Sequence, residues 1–259
     1  MLHPAARPLG LAMACSLLCS SLAAGAEESP HTGGEQRPLI IVESVKPQGG
    51  RAAVAAYGIT DDDLAAIVQT LPTLQRAVPI RTRASQVRVA ERVAEAQLFG
   101  TTDDYAVLHP PQLAEGRFLT ADDVQHRRSV GVLGHRLAGL LFPAGTAVGQ
   151  TVRAGRHAFL IVGVLAAEST SQQLDLILPL STLRSRYGKQ TVTRQAGGFE
   201  VERVELSRIE LLVPRFDTMA ATSAMLEKLL ARRHDDRSFR IVTTLDGSEQ
   251  LEQTERSPP

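Results

Sequence analysis

The first part of the chain predicts a strand followed by an amphipathic helix. Residues 38–45 (PLIIVESV) are rich in β-branched residues and favour a strand. Thr60 is a candidate N-cap, and Asp63 completes an aspartate variant of the capping box. The apolar positions that follow recur with the period of a helix, at Leu64, Ile67, Val68 and Leu71. With a further strand expected over residues 75–82, this part predicts a β-α-β unit.

The last third repeats this order of elements. The apolar run at residues 201–213 predicts one strand, and Asp217 is a candidate N-cap for a helix that continues to about His234. The apolar side of that helix comprises Ala221, Met225 or Leu226, Leu229 and Leu230. Residues 238–244 predict a closing strand. Two β-α-β units that flank a different middle region predict the α+β class: a β-α-β subdomain built from both chain ends, with an inserted mostly-β subdomain.

The middle region predicts strands with short helices between them. Thr120 and Asp123 form a second small capping box. A strand is expected over residues 129–133, and the helix after it has apolar residues at Leu137, Leu140 and Leu141. Residues 148–152 lead into a Gly-Arg-His turn, and further strands are expected at residues 159–165 and 175–180. The apolar run that begins at residue 159 suits a buried strand, since a membrane helix needs about 20 apolar residues.

These elements give the predicted domain boundaries. Residues 38–97 and 181–245 form the β-α-β subdomain, and residues 98–180 form the inserted mostly-β subdomain. Residues 27–37 are polar and predict a flexible leader. Residues 246–259 are polar and acidic, so we expect a disordered tail.

Residues 1–26 have the features of a secretory signal peptide. Arg7 gives a positive start, residues 9–23 are mostly apolar, and residues 24–26 (AGA) form a cleavage site of small residues. A retained membrane anchor and a lipoprotein signal are the alternatives. The apolar stretch is short for a membrane span, and the residues before the two cysteines match a lipobox poorly. We therefore expect export, with a retained membrane anchor as the alternative.

Composition narrows the classes of function. The chain has 28 basic and 28 acidic residues, and this neutrality argues against a nucleic-acid binder or a strongly basic membrane-surface protein. Cleavage after residue 26 would remove Arg7 and both cysteines, leaving 27 basic against 28 acidic residues and no disulfide. Trp is absent and aromatic residues make up 4%, which disfavours a stacking platform for single strands or sugars.

The sequence contains no familiar catalytic motif. There is no phosphate-binding loop, no Gly-x-Ser-x-Gly elbow and no His-Glu-x-x-His, and the histidines are scattered. Acidic side chains cluster at predicted loops and helix starts, at residues 61–63, 103–104, 122–123 and 235–236. Capping and solvation explain them, and the arginine pairs 127–128 and 232–233 suit solvated faces. We expect no catalytic residue, no cofactor, no metal and no enzymatic activity.

Six short blocks in the middle region resemble a known family. The blocks are LFGTTDDY (98–105), LAEGRFLT (113–120), VGVLG (130–134), LLFP (140–143), VGQTV (148–152) and FLIVGVL (159–165). Their order and spacing are similar to those of the MacB-like periplasmic core domain. That domain occurs in permease subunits of bacterial ABC transporters, including the MacB exporters and the lipoprotein-release permeases LolC and LolE. The resemblance extends from about residue 38 to about residue 253.

The distinctive residues of these blocks suit structural roles. Gly116 and Gly149 occupy places where a turn needs positive φ or a close backbone approach. Phe142 ends a predicted amphipathic helix and is expected to fill a core pocket. Gly163 lies inside a predicted strand, which indicates close packing or a bulge.

The resemblance implies a two-part domain outside the inner membrane that contacts partner proteins and couples cytoplasmic ATP hydrolysis to movement of substrate. The resemblance implies an order of segments in which one membrane helix is followed by this domain and then by three more membrane helices. Here the predicted signal takes the place of the first helix, and the chain ends at about residues 251–254, where the second would begin. We therefore do not expect this chain to act as a permease by itself.

Three hypotheses follow. The first is a non-enzymatic periplasmic protein that interacts with an ABC permease, an ATPase–permease complex or a periplasmic adaptor in export or lipoprotein release. The second is a membrane-anchored transporter subunit that retains the N-terminal segment, with separate chains supplying the other helices. The third is a secreted ligand-binding protein or enzyme that reuses the fold. Neither of the first two hypotheses requires this chain to bind nucleotide or nucleic acid directly.

Overall fold

The computed structural model describes residues 37–46, 54–167, 175–188, 190–195, 198–234 and 238–244. The predicted signal peptide, the predicted leader apart from its last residue, and the predicted tail lie outside the described residues.

The described part of the chain contains strands and helices that alternate in no simple repeat. The strands are β1 (Leu39–Ser44), β2 (Val54–Ala56), β3 (Arg76–Val89), β4 (Arg92–Thr101), β5 (Leu113–Gly116), β6 (Val130–Leu133), β7 (Thr151–Ala154), β8 (His157–Leu165), β9 (Asp175–Pro179), β10 (Gln190–Gln195), β11 (Gly198–Arg203), β12 (Arg208–Leu212) and β13 (Phe239–Thr243). The helices are α1 (Asp61–Thr70), α2 (Tyr105–Leu108), α3 (Ala121–Gln125), α4 (His135–Leu141), α5 (Leu180–Tyr187) and α6 (Met219–Ala231).

Four strands near the two ends of the described chain form one side of a large sheet. Their order is β13-β1-β12-β3, and each neighbouring pair is antiparallel. Helix α1 lies in the connection from β1 to β3, and α6 lies in the connection from β12 to β13. The order strand, helix, strand thus occurs twice among these elements, and the two sets interleave as in a split β-α-β arrangement.

The core between these strands and their helices consists mainly of apolar side chains. Ile40 and Val42 of β1 pack with Ile67 of α1 and with Leu226 and Leu230 of α6, and all five are fully buried. Apolar side chains that leave water in this way supply most of the favourable free energy of folding. The two helices therefore cover the same face of the sheet.

The apolar faces of two helices are narrower than the sequence predicts. Val68 of α1 is 50% exposed and Leu140 of α4 is 56% exposed, although both were expected on a buried face. Met225, one of two alternatives offered for α6, is 49% exposed, and Leu226 takes the buried position. The spacing i, i+3, i+4, i+7 defines a broad apolar stripe along a helix. In these helices the sheet covers only the centre of that stripe, so apolar residues at its margin stay exposed.

The middle of the chain folds into a closed ring of six strands. Neighbours around the ring are β3, β4, β9, β6, β8 and β7, and β7 closes the ring by pairing again with β3. Buried side chains from alternate strand positions fill it, including Leu98, Leu133, Phe159, Ile161 and Leu176. Helices α4 and α5 add further apolar side chains to this core.

A third apolar cluster connects the two parts. It joins Val78 and Leu212 of the terminal strands to Phe99, Val132 and Ile177, which lie on the outer side of the ring. Strand β3 also belongs to both parts, because its first residues pair with β12 and the later ones pair with β4. The chain is thus a mixed α+β protein with a sheet-dominated core. The predicted boundary after residue 97 falls inside β4 and stays a prediction.

The predicted strand over residues 201–213 is wrong, because two strands replace it. Strand β11 pairs with β10 and β2 in a separate three-stranded sheet, whereas β12 belongs to the large sheet. The chain passes from one sheet to the other between them, where Leu206 forms an isolated bridge with Ile59. Periodicity alone does not distinguish one long strand from two strands in different sheets.

The predicted N-cap of α6 is also wrong. Residues Phe216–Thr218 form a 3-10 turn before the helix, and Thr218 is the N-cap. Both carboxylate oxygens of Asp217 accept hydrogen bonds from Nε of Arg215, at 3.1 and 3.0 Å. The Asp217 side chain is therefore engaged with its neighbour and does not cap α6.

Candidate functional site

Two of the glycines singled out in the sequence lie against each other. Gly116 of β5 is paired with Gly163 of β8, and Gly116 has φ of +75°. A Cβ on Gly116 would overlap the carbonyl oxygen of Val162 and lie 2.8 Å from Cα of Gly163. A Cβ on Gly163 would overlap the carbonyl group of Arg117, with the carbonyl carbon 3.0 Å away. Only glycine on both strands permits this approach.

Strand β8 is irregular at the same place. Its register with β6 pairs Gly131 with Ile161 and then Val132 with Gly163, so Val162 is an extra residue on β8. One unpaired residue in one strand is a β-bulge, which bends the strand and increases its local twist. The bulge and the glycine contact together bring the segment after β5 close to the sheet.

An ion pair between a half-exposed arginine and a buried carboxylate fixes the segment that follows Gly116. Asp123 is fully buried, and its Oδ2 accepts hydrogen bonds from Nη1 of Arg117 at 2.6 Å and from the backbone N–H of Thr120 at 3.0 Å. Nη2 of Arg117 donates to Oδ1 at 3.2 Å. Burial raises the pKa of Asp123, but the hydrogen bonds from Arg117 and Thr120 outweigh it and hold the pKa below its ordinary value.

Gly149 and Phe142 lie beside the ring. Gly149 has φ of +82° with open space around its Cα, so backbone conformation and not crowding requires glycine there. Its N–H donates to the carbonyl of Ile161 at 2.8 Å. Phe142 is the C-cap of α4 and is partly buried against the core of the ring.

Asp63, the last residue of the acidic triplet at the start of α1, caps that helix and links it to the end of α6. Asp63 forms the predicted capping box with Thr60, and its Oδ1 accepts a hydrogen bond from Nε of Arg233 at 2.6 Å. Nε2 of His234 lies 2.9 Å from Oδ2. Burial raises the pKa of Asp63, but the hydrogen bonds from Arg233, Thr60 and His234 outweigh it, so the pKa is lowered. The start of α1 is thereby tied to the end of α6.

The other acidic pairs have simple partners where they are described. Asp104 pairs with Arg76 at 3.1 Å, and Asp122 pairs with His126 at 2.8 Å and with Arg128 at 2.5 Å. The pair at residues 235–236 lies outside the described residues. Within the described ranges, no three His, Cys, Asp or Glu side chains lie close enough together to hold a metal ion.

Sequence analysis missed a buried charge in β12. Glu210 is 2% exposed, and its carboxylate lies 2.6 Å from Nε2 of His109 and 2.9 Å from Nη2 of Arg208. A charged residue is almost never fully buried without a partner. The glutamate between Ile209 and Leu211 in an apolar run was therefore an available signal for an internal ion pair.

A second missed group is Asp175, the first residue of β9. Burial raises its pKa to about 6, an effect that the positive charge of Arg208 only partly offsets. The carboxyl group therefore titrates close to the pH of many biological compartments. The ion pairs and hydrogen bonds described so far hold elements of the fold together.

The described helices do not include one that is both long enough and apolar enough to cross a membrane. The family model of the MacB-like periplasmic core domain matches residues 9–250. The chain belongs to this family. The match extends over the whole described fold and begins inside the predicted signal peptide, which accords with the resemblance of the six sequence blocks.

Curated relatives with this domain are much longer proteins. The macrolide export ATP-binding/permease protein MacB of Syntrophobacter fumaroxidans is 34% identical over 134 residues, which is 49% of this chain and 19% of the relative. MacB of Azoarcus sp. is 26% identical over 239 residues, covering 90% of this chain and 34% of the relative. The chain thus spans only a fifth to a third of the length of these relatives.

A solved structure has the same fold. The periplasmic region of MacB from Actinobacillus actinomycetemcomitans superposes with a TM-score of 0.63 at 21% identity. The match covers 85% of this chain and 94% of that structure. At this identity the likeness concerns the fold, and the fold alone does not fix function.

Proposed function

We propose that this protein is a non-enzymatic, periplasmic interaction component of an ABC-type export or lipoprotein-release system. It docks on a permease, an ATPase–permease complex or a periplasmic adaptor, and it requires no cofactor. The observation that carries this proposal is the family match across residues 9–250, since the family is a periplasmic domain of transporter permeases and not a known class of enzyme.

The internal chemistry of the fold supports the same role. Asp63 is paired with Arg233, Asp123 with Arg117 and Glu210 with Arg208. Buried carboxylates with fixed cationic partners favour one packing arrangement of a domain. A rigid domain presents a constant surface, which lowers the entropic cost of binding another protein.

Affinity purification of the tagged full chain from native membranes under mild crosslinking tests the proposal. We expect a subunit of an ABC transporter, or an adaptor of such a transporter, to be recovered with the chain. Recovery of abundant tagged chain without any such component would contradict the proposal. The comparison sample is a tagged exported protein of another family at the same abundance.

A second candidate function is a membrane-anchored transporter subunit that retains its N-terminal segment. The start of the family match at residue 9 favours it, because the match includes the whole apolar stretch of residues 9–23. The N-terminus of the purified protein separates the two candidates. A mature start at Glu27 contradicts the anchored form, whereas an intact N-terminus in the membrane fraction supports it.

A further inference from the structure

A cluster of basic and aromatic side chains surrounds the end of α5. It comprises Arg83 of β3, Arg156 and His157 at the turn from β7 to β8, and Arg186 and Tyr187 of α5, and we call it the basic patch. The rings of His157 and Tyr187 meet edge to face with centroids 4.9 Å apart, and Cζ of Arg83 lies 5.2 Å from the Tyr187 centroid. These contacts join three elements in one surface.

The aromatic centre of the basic patch is held in place. The hydroxyl of Tyr187 donates a hydrogen bond to the carbonyl of Ala154 at 2.8 Å, and burial raises the pKa of Tyr187 to about 12. Tyr187 and His157 are each partly buried, with part of the side chain facing solvent. A fixed aromatic surface loses little conformational entropy when another molecule covers it.

Two guanidinium groups of the patch are exposed and have no acidic partner among the residues that the structure describes. Nη2 of Arg186 donates to Oγ of Ser129 at 3.1 Å, and neither Arg186 nor Arg156 forms an ion pair with a carboxylate of the described residues. Burial is the main effect that lowers the pKa of His157. The positive charges of Arg186 and Arg156 lower it further. By contrast, the exposed Arg215 and Arg240 are paired with carboxylates.

A buried guanidinium lies directly behind the patch. Arg81 is 2% exposed and donates a hydrogen bond from Nη1 to the carbonyl of Gly188, the residue after Tyr187. Burial lowers the pKa of Arg81, and the charges of Arg83 and Arg184 lower it further, while Glu205 and Asp61 act in the opposite direction. A charge in the protein interior is screened less than one in water, so Arg81 adds to the positive potential of the surface.

We propose that the basic patch binds an acidic segment of a partner protein, with aspartate or glutamate side chains on Arg156 and Arg186. Guanidinium groups bind carboxylates through two parallel hydrogen bonds. Tyrosine and arginine are also the residue types that dominate binding energy at protein interfaces. This inference rests on the proposed function, since it names the chemistry of the protein partner.

A binding experiment with the purified full chain tests this. The probe is a short, fluorescently labelled, glutamate-rich peptide, and its matched control has glutamine at every glutamate position. The chain variant Arg156→Glu with Arg186→Glu removes the proposed contacts. Arg136→Glu with Arg232→Glu changes the net charge equally at two exposed arginines outside the patch. Thermal unfolding establishes that each variant is folded, and the Arg156→Gln, Arg186→Gln variant replaces the first if it is not.

We expect saturable binding of the glutamate peptide, about tenfold weaker in the patch variant and within about twofold of the wild type in the matched variant. Binding falls as salt concentration rises, because exposed charges are screened. Equal weakening in the two variants, or no saturable binding, would overturn the proposal. Vesicles containing anionic lipid form a separate arm, and tight vesicle binding that the peptide does not displace would also overturn it.

The result can be separated from the fate of the proposed function. The patch variant is carried through the same crosslinking and purification as the wild type. If the transporter component is recovered equally well with the patch variant, the basic patch is not the docking surface, although the proposed function stands. If the component is lost from the patch variant and retained by the matched variant, both proposals gain support.

Discussion

Two glycines decide how closely β5 can approach β8. Gly163 has an ordinary strand conformation, so the requirement at this position is space, whereas Gly116 has both positive φ and close neighbours. Replacing a crowded glycine by alanine should therefore change the stability of the protein differently from replacing a glycine with open space around its Cβ position.

Gly163→Ala is expected to lower the free energy of unfolding by about 2 kcal/mol or more, because the added methyl group overlaps the backbone of Arg117. Gly139→Ala in α4 is the control, since its Cβ meets nothing within 4 Å. It is expected to stabilise the protein by about 0.5–1 kcal/mol. Urea denaturation followed by circular dichroism measures both values, and equal effects at the two positions would contradict the close approach.

The buried carboxylate of Asp123 and the exposed carboxylate of Asp122 are adjacent in sequence and differ in environment. Asp123→Ala removes a capping box and the bond to Arg117, so we expect a loss of about 2 kcal/mol at pH 7. Asp122→Ala removes only surface ion pairs and should cost less than about 1 kcal/mol. Denaturation of the two variants in the same buffer measures the difference.

The cost of Asp123→Ala should also depend on pH. The folded state lowers the pKa of Asp123, so its contribution is fully present above the unfolded pKa of about 4 and is lost as pH falls through the folded value. The gap in stability between wild type and variant is therefore expected to shrink in acid below about pH 4. A gap that stays constant from neutral pH to strong acid would show that Asp123 is not an ionised partner of Arg117.

The raised pKa of Asp175 predicts the opposite dependence of stability on pH. The pKa of the Asp175 carboxyl is about 6 in the folded state and about 4 in the unfolded state. Between roughly pH 4 and pH 6, the folded state therefore keeps a proton that the unfolded state releases. Stability should fall as pH rises through this window, and Asp175→Asn should remove the fall and gain about 1 kcal/mol at pH 7, after allowance for partial exposure. A carboxyl titration by NMR with a midpoint near 4 would contradict the raised value.

At the scale of elements, short local signals predict structure well where the chain satisfies its own backbone groups. The two capping boxes, at Thr60 with Asp63 and at Thr120 with Asp123, begin α1 and α3 as predicted. The apolar runs that predict β1 and β8 also form strands close to the expected bounds. These signals depend on residues within one turn or one strand, so sequence alone contains them.

Elements that depend on distant partners were harder to predict. Two of the buried positions of strand β4 are Ala94 and Ala96, and alanine has little preference for strands. Helix α5 directly follows β9 with Pro179 as its N-cap, so the apolar run conceals the change of structure. The ring closure between β3 and β7 and the basic patch both require contacts between residues far apart in sequence, which no local pattern encodes.

The length of β3 makes a prediction about cooperativity. Because one strand pairs with β12 and then with β4, we expect the amides in both halves of β3 to exchange hydrogen with the same free energy of opening. Leu98→Ala, in the core of the ring, should cost about 2–5 kcal/mol and lower protection in both halves. Loss of protection confined to residues that pair with β4 would show that the ring opens separately.

At the scale of the whole molecule, one sheet extends from the strands at the chain ends to the closed ring. The cluster that includes Val78, Phe99 and Leu212 lies between these parts, and the ion pair of Arg184 with Asp61 joins α5 to the start of α1. The basic patch includes Arg186 and Tyr187, which lie in the same last turn of α5 as Arg184. Helix α5 packs against both parts of the sheet, because Leu183 belongs to the core of the ring and Leu180 belongs to the core beneath α1 and α6.

The central claim is that this domain works through contact with an ABC export or lipoprotein-release system. The most direct measurement is quantitative mass spectrometry of proteins that co-purify with the tagged full chain after mild crosslinking in its native cells. We predict enrichment of a permease, an ATPase or an adaptor of one such system over the tagged control protein. Abundant tagged chain with none of these components enriched, with or without crosslinking, would contradict the claim.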